Sequence, residues 1–339
     1  MLPDKSTYYY LKTTAICLTI IAGGVGMAFL VYTKALLIPL VISIFLYTIL
    51  AQTTLYLQHK FKFPHWLALG ISILLGTSFF VAVILFTTSS VGQFLKGAEV
   101  YRQNLIAIVG DISTRLQQHG ITLDQNFIET YVRELPLFGW LRNFGGKLFS
   151  VISNITLIIL FMIFFLLGSK KQKPITNPAI KEMLANVSVY LSVKLMASLI
   201  TGLIVLGILL GFQVKLAVLF ALFAFLLNFI PSVGSIISVL LPVPVLFLQY
   251  GLSPTFFIVL GLLAATEFTI GNLVEPRFLG EGMDLHPAAV IGSLIFWSLV
   301  WGVPGAFLSV PITASLKIVL GKIKHTRPVA ELLAGRLPH

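Results

Sequence analysis

Two long apolar stretches of this chain are interrupted at their centres by proline and glycine, and no feature restricts its fold more. Residues 216–249 break at Ile230-Pro231-Ser232-Val233-Gly234, and residues 287–320 break at Trp301-Gly302-Val303-Pro304-Gly305. Each half is about 15 residues, or roughly 22 Å of helix at 1.5 Å per residue. The hydrocarbon core of a bilayer takes about 20 residues. A half is therefore short for one crossing, and a whole segment is long for one upright helix. Irregular backbone at membrane depth is tolerated only where it packs in protein or lines a cavity, and paired interruptions mark transport sites. The pattern implies a solute pathway and leaves the solute unnamed.

Six further apolar runs are continuous, near 13–33, 36–57, 66–91, 148–168, 187–211 and 254–274. The expected fold class is an all-α membrane protein with six continuous transmembrane helices plus the two broken segments. Composition agrees: 57% of residues are hydrophobic and 10% charged, against about 25% charged in soluble domains. The net charge of +11 sits beside membrane segments, where it sets topology, so no nucleic-acid partner is expected. Cys17 is the single cysteine, which excludes a disulfide framework, and no Cys/His spacing suits a metal. The first run is long and soon followed by another, so it reads as a span rather than a cleaved leader.

Residues 92–147 are less apolar and carry six Lys/Arg against five Asp/Glu. Phe94, Ala98, Tyr101, Leu105, Ile108, Ile112 and Leu116 recur at helical spacing, which predicts an amphipathic helix ending at His119-Gly120. Asp124 can cap a second short helix that Pro136 stops. With Lys5 and Lys12 in the cytoplasm, the loops at 59–65 and 169–182, the latter carrying Lys170-Lys171-Gln172-Lys173, also fall inside. Residues 92–147 then lie outside and the basic tail 321–339 returns to the cytoplasm. The resulting units are a three-span scaffold (1–91), the insertion (92–147), a fourth span with its basic loop (148–186) and a transport unit (187–320).

Each broken segment is either a kinked crossing or a re-entrant hairpin. Hairpins suit the half-lengths and make 187–249 and 254–320 two helix-plus-hairpin units in inverted orientation. Such repeats place solute and coupling ion at the midplane. Asn228, Ser232, Ser235 and Ser238 cluster around the first break, with Pro231 opposing the helix and Gly234 permitting a turn. These groups either coordinate a polar solute or cation, or merely satisfy the broken backbone. Pro304 and Gly305 form the corresponding tip of the second segment.

Glu267 lies deep within an apolar run, where an ionisable group faces a cavity or a partner. Lys194, within the fifth run, is either its counter-ion or an interfacial lysine. A polar solute is expected to bind between the two tips, near Glu267 and Asn272. Beyond Asn272, Pro276 ends the helix, Glu275 and Arg277 pair at its mouth, Gly280 and Gly282 form a flexible link, and His286-Pro287 starts the next helix. His286 before proline reads as a cap more than a metal ligand. Gating or coupling roles are expected for Lys194, Glu275, Pro276, Arg277, Gly280 and His286.

The chain resembles the autoinducer-2 exporter family of bacterial inner-membrane proteins. The motifs that carry the likeness are Tyr190-Leu191-Ser192-Val193-Lys194, Asn228-Phe229-Ile230-Pro231-Ser232-Val233-Gly234, Asn272-Leu273-Val274-Glu275-Pro276 with Gly280, and Leu285-His286-Pro287. They continue with Phe296-Trp297-Ser298-Leu299-Val300-Trp301-Gly302-Val303-Pro304-Gly305 and Leu308-Ser309-Val310-Pro311. Pro304 departs from many relatives. The resemblance implies a homo-oligomeric exporter, a pentamer, whose transport units move past a scaffold. Founding members export autoinducer-2, and others are assigned cation/proton antiport. No GxxxxGK[ST] motif and no nucleophile–base pair is present, so neither a nucleotide-driven pump nor an enzyme is expected, and no cofactor. Three readings stand: exporter of a small polar solute, sodium/proton antiporter, and non-transporting membrane scaffold.

Overall fold

A computed structural model describes residues 5–118, 155–168, 178–279 and 284–336. Regular structure among them is entirely helical. The N-terminal half supplies α1 (Lys5–Tyr32), α2 (Lys34–Phe61), α3 (His65–Gln118) and α4 (Ile155–Gly168). The helix α2 stops where Lys62 adopts a left-handed φ of 51°, just before Phe63-Pro64, because the residue before a proline is pushed out of helix. Leu50, Met162 and Leu166 are buried where α2, α3 and α4 meet. Gly76 of α3 permits that approach: an added Cβ would lie 2.8 Å from Leu50 Cδ1.

The C-terminal half begins with α5 (Pro178–Gly211) and continues as α6 (Ala217–Leu227), α7 (Val233–Leu240), α8 (Val243–Tyr250) and α9 (Pro254–Thr269). A π-turn, Ile270–Val274, joins α9 to α10 (Glu275–Leu279); α11 (Pro287–Trp301), α12 (Val303–Lys322) and α13 (Arg327–Leu333) follow. The centre of this half is α5, which packs against α2, α6, α9, α10 and α12.

Both expected breaks are present. Between α6 and α7 the chain leaves helical geometry at residues 228–232, and between α11 and α12 it turns at Gly302, φ 67° and ψ −143°. Each segment also folds back on itself. Gln249 Nε2 donates to the Gln213 carbonyl at 2.8 Å and the Lys215 amide donates to Gln249 Oε1 at 3.0 Å, so the ends of the first segment meet. In the second, Lys317 Nζ lies 2.7 Å from Asp284 Oδ2.

Among the described residues, seven helical stretches are long and apolar enough to cross a membrane: Thr13–Tyr32, Lys34–Phe61, His65–Phe86, Ile180–Gly211, Val233–Tyr250, Pro254–Phe278 and Val303–Lys322. Five of them match continuous runs read from the sequence, and two are the second halves of the broken segments. The fourth run appears as α4, with 14 described residues. Large exposed side chains such as Leu18, Phe29, Leu85, Phe164 and Leu299 stud these helices, as lipid-facing surfaces require.

One local expectation changes. The third run and the amphipathic stretch form one uninterrupted helix of 54 residues, because nothing near residue 92 breaks it. It is described as far as Gln118, and the expected stop at His119-Gly120 lies outside the described residues. The second insertion helix with Asp124 and Pro136, the Lys170–Lys173 loop and Gly280 with Gly282 lie outside the described residues.

Candidate functional site

The first break is built by hydrogen bonds that have lost their helical partners. Pro231 has no N–H to offer Leu227, so the Ile230 amide takes that carbonyl instead at 2.8 Å. Ser232 then adopts φ 58° and ψ −52°, and the Val233 amide donates to the Pro231 carbonyl at 2.6 Å. This is a γ-turn with positive central φ, a rare and strained conformation. Strain of that kind gathers at functional sites. Gly234 is not the turning residue. It sits in the first turn of α7, where an added Cβ would lie 1.8 Å from the Leu227 carbonyl oxygen. The second break turns at Gly302 instead and shares the close glycine, with Gly305 placing a Cβ 1.9 Å from the Trp297 carbonyl oxygen.

Beside the first break lies a cavity of about 530 Å³. Its walls come from three directions. Lys194 stands on α5; Asn228, Ile230, Pro231, Ser232 and Ser235 come from the break and α7; Glu267, Gly271, Asn272 and Glu275 come from α9 through α10. Ile236, Val239, Leu240, Ala264 and Phe268 add apolar wall. Of the residues read from the sequence as binding, six line the cavity: Asn228, Pro231, Ser232, Ser235, Glu267 and Asn272.

The π-turn explains how Glu267 and Glu275 come to share one face. Eight residues of α-helix overshoot two full turns by about 80°. A π-turn holds more residues per turn, and this one absorbs most of that overshoot. Its cause is Pro276, which cannot donate to the carbonyl of Asn272 and would clash with it in regular helix. Pro276 therefore bulges the helix rather than ending it, and the chain stays helical to Leu279.

Charge is arranged asymmetrically. Lys194 is 4% exposed, and its Nζ lies 2.5 Å from Glu275 Oε1 and donates to the Asn228 carbonyl at 3.0 Å. That carbonyl is free because Ser232, its partner in continuous helix, has left helical geometry. Asn228 Nδ2 donates in turn to Ser198 Oγ at 3.1 Å. The lysine is thus neither interfacial nor paired with Glu267: Glu275 holds it, and Glu275 does not depend on the exposed Arg277. Glu267 is 3% exposed, and neither carboxylate oxygen has a hydrogen-bond partner among the described residues. The Ser235 and Ser238 hydroxyls stand beside it without meeting hydrogen-bond geometry.

The remaining candidates fall elsewhere. Pro304 and Gly305 shape the second break and do not line the cavity. Instead the two breaks touch through Phe229 and Phe307, stacked at 4.6 Å between ring centroids. His286 caps α11, its Nδ1 accepting from the Ala288 amide at 3.2 Å. Sequence reasoning passed over Ser198 and the buried Tyr190 hydroxyl, which has no partner among the described residues. Both lie four residues from Lys194, one to each side, and that spacing was the available signal.

The sequence pattern described as "AI-2E family transporter" matches residues 18–325. The chain belongs to this family. A Haemophilus influenzae protein provisionally described as a transport protein is 29% identical over 335 residues, covering 93% of each chain. The Escherichia coli AI-2 transport protein TqsA is 28% identical over 313 residues, covering 89% of this chain and 90% of its own. A Borreliella burgdorferi protein, also provisionally described as a transport protein, is 26% identical over 99% of this chain and 95% of its own. This AI-2E family protein is accordingly a multi-pass membrane transporter, and its family is one of transporters rather than enzymes.

Proposed function

We propose that this AI-2E family protein is a secondary exporter that moves a small polar solute of the autoinducer-2 type out of the cell. The observation that carries the reading is the 530 Å³ cavity, in which an unpartnered buried carboxylate faces serine and asparagine side chains. Cavities of about 300–1,000 Å³ hold small ligands, with a few polar groups fixing orientation within apolar walls. The name of the Escherichia coli relative supports autoinducer-2 as the first solute to try.

In this reading both broken segments are re-entrant hairpins, and residues 187–320 move in an elevator-type or alternating-access step against a scaffold formed by residues 1–168. The doubling back of each segment and the close glycine shared by their breaks support hairpins over kinked crossings. The bacterial inner membrane, cytoplasmic termini, an outward insertion at 92–147 and a homo-oligomer, a pentamer by resemblance, complete the proposal.

A second reading is sodium/proton antiport, with Glu267 carrying the ion. It draws on the same fact, since a buried carboxylate without a hydrogen-bond donor among the described residues is costly unless something occupies it. Proteoliposomes with an imposed sodium or proton gradient separate the two. Autoinducer-2 flux that Glu267→Gln abolishes supports gradient-coupled export. Sodium/proton exchange without solute flux supports the antiporter, and flux of solute undisturbed by Glu267→Gln removes Glu267 from the pathway.

A further inference from the structure

Residues at the first break point in two directions. Asn228, Ile230 and Pro231 line the cavity, while the ring of Phe229, between them, is buried against the second hairpin. There it stacks on Phe307 at 4.6 Å and 21°. Phe225 meets the same ring edge-on at 5.8 Å, and Phe79 of α3 meets Phe225 at 5.7 Å. Ile230, Leu294 and Ala306 form an apolar cluster flanking the stack. The wall between the polar cavity and the seam of the two hairpins is therefore one residue of broken backbone thick, and its far side is apolar.

We infer that the Phe229–Phe307 stack is a gate that closes one end of the solute pathway, rather than plain core packing. Solute leaving the cavity across the seam must part these rings. Both rings sit beside a helix break, where the backbone can move without unwinding a span. Lys194 holds the cavity side of the same wall through the Asn228 carbonyl, so polar contacts brace one face and aromatic contacts the other. Offset-stacked rings separate more readily than interdigitated aliphatic core, because their attraction beyond area burial is modest and directional. The proposal rests on the transport reading above, but its test does not need the solute.

The test uses full-length protein in proteoliposomes with Cys17→Ser as background and Ala264→Cys as a reporter on the cavity wall. A charged, membrane-impermeant thiol reagent is applied from each side in turn. With both rings present, labelling is expected from one side only. With Phe229→Ala/Phe307→Ala, labelling from the second side rises roughly three- to tenfold, the range for losing one aromatic pair. Unchanged sidedness overturns the gate. Should the alanine pair fail to give monodisperse protein, Phe229→Leu/Phe307→Leu removes the stack while keeping apolar bulk, and is judged the same way. Autoinducer-2 flux is measured on the same vesicles. Changed sidedness without flux leaves the gate standing and sinks the solute reading; flux with unchanged sidedness does the reverse.

Discussion

Neutralising one member of the Lys194–Glu275 pair is expected to harm the protein more than neutralising both. Lys194 and Glu275 are 4% and 8% exposed, and the lysine also satisfies the freed Asn228 carbonyl. Breaking a buried ion pair from one side costs about 3–5 kcal/mol, because the surviving charge is stranded. Glu275→Gln keeps an acceptor near Nζ and should fall near the lower figure. Lys194→Met strands both the carboxylate and a carbonyl; an unsatisfied buried acceptor adds about 1–3 kcal/mol, so this change lies at or above the upper figure. Lys194→Met/Glu275→Gln strands only the carbonyl and costs about 3 kcal/mol or less, far below the sum. The assay is equilibrium unfolding in mixed micelles, followed through the fluorescence of the four tryptophans and read as a double-mutant cycle. Single effects that add to the double within about 0.5 kcal/mol, the tolerance for independent sites, would refute the bridge as described.

Glycine replacements at the two breaks should separate close approach from flexibility. Gly234→Ala and Gly305→Ala force a Cβ to 1.8 and 1.9 Å from a carbonyl oxygen, and are expected to lower the melting temperature sharply or abolish expression. Gly207→Ala, with nothing within 4 Å, should change stability by no more than about 1 kcal/mol. On the tail, Lys317 and then Arg336 beside Asp284 hold its carboxyl below the usual range, at 2.7 and 3.0 Å. A depressed carboxyl contributes above its ordinary pKa, near 3.9, and loses the contribution as pH falls through the lower folded value. Hydrogen exchange over residues 327–336 should therefore stay slow from neutral pH down to the carboxylate range and quicken below it. Asp284→Asn should quicken it already at neutral pH, modestly, since exposed pairs are worth up to about 1 kcal/mol each.

What could be read without a structure was the part written in local chemistry. Proline and glycine announced both breaks, and a carboxylate amid Leu, Ala and Phe announced Glu267. Three features escaped because each depends on rotation or distance that local patterns do not carry. The π-turn was one: Pro276 has the same local signature whether it ends a helix or bulges it, and packing against α5 decides which. The partner of Lys194 was another, since Glu275 reaches it only after that bulge has turned the helix. The third was the contact of Phe229 with Phe307, two of 27 phenylalanines with nothing local to single them out. Gly234 was legible as necessary, but for the wrong reason: the positive φ belongs to Ser232, and the glycine is needed for the room its missing Cβ leaves.

These pieces depend on one another at the first break. A helix interrupted in a membrane leaves carbonyls without donors, and each must be satisfied within the protein. Here the freed carbonyl of Leu227 is taken by a nearby amide, and that of Asn228 by a lysine from a different helix. The lysine brings charge, and the charge requires a carboxylate, which the π-turn delivers as Glu275. Glu267, on the same face two turns earlier, is then left as an acceptor without a hydrogen-bond donor among the described residues. A polar solute or a cation that enters this cavity meets a site whose other strong groups are already engaged with one another. If the proposed solute or ion binds here, Glu267 and the adjoining Ser235 are the groups that would link it to the break, and Lys194, in contact with both Asn228 and Glu275, is the group that would link the break to α10. Removing the bracket should uncouple the cavity from the seam, even where binding at Glu267 survives.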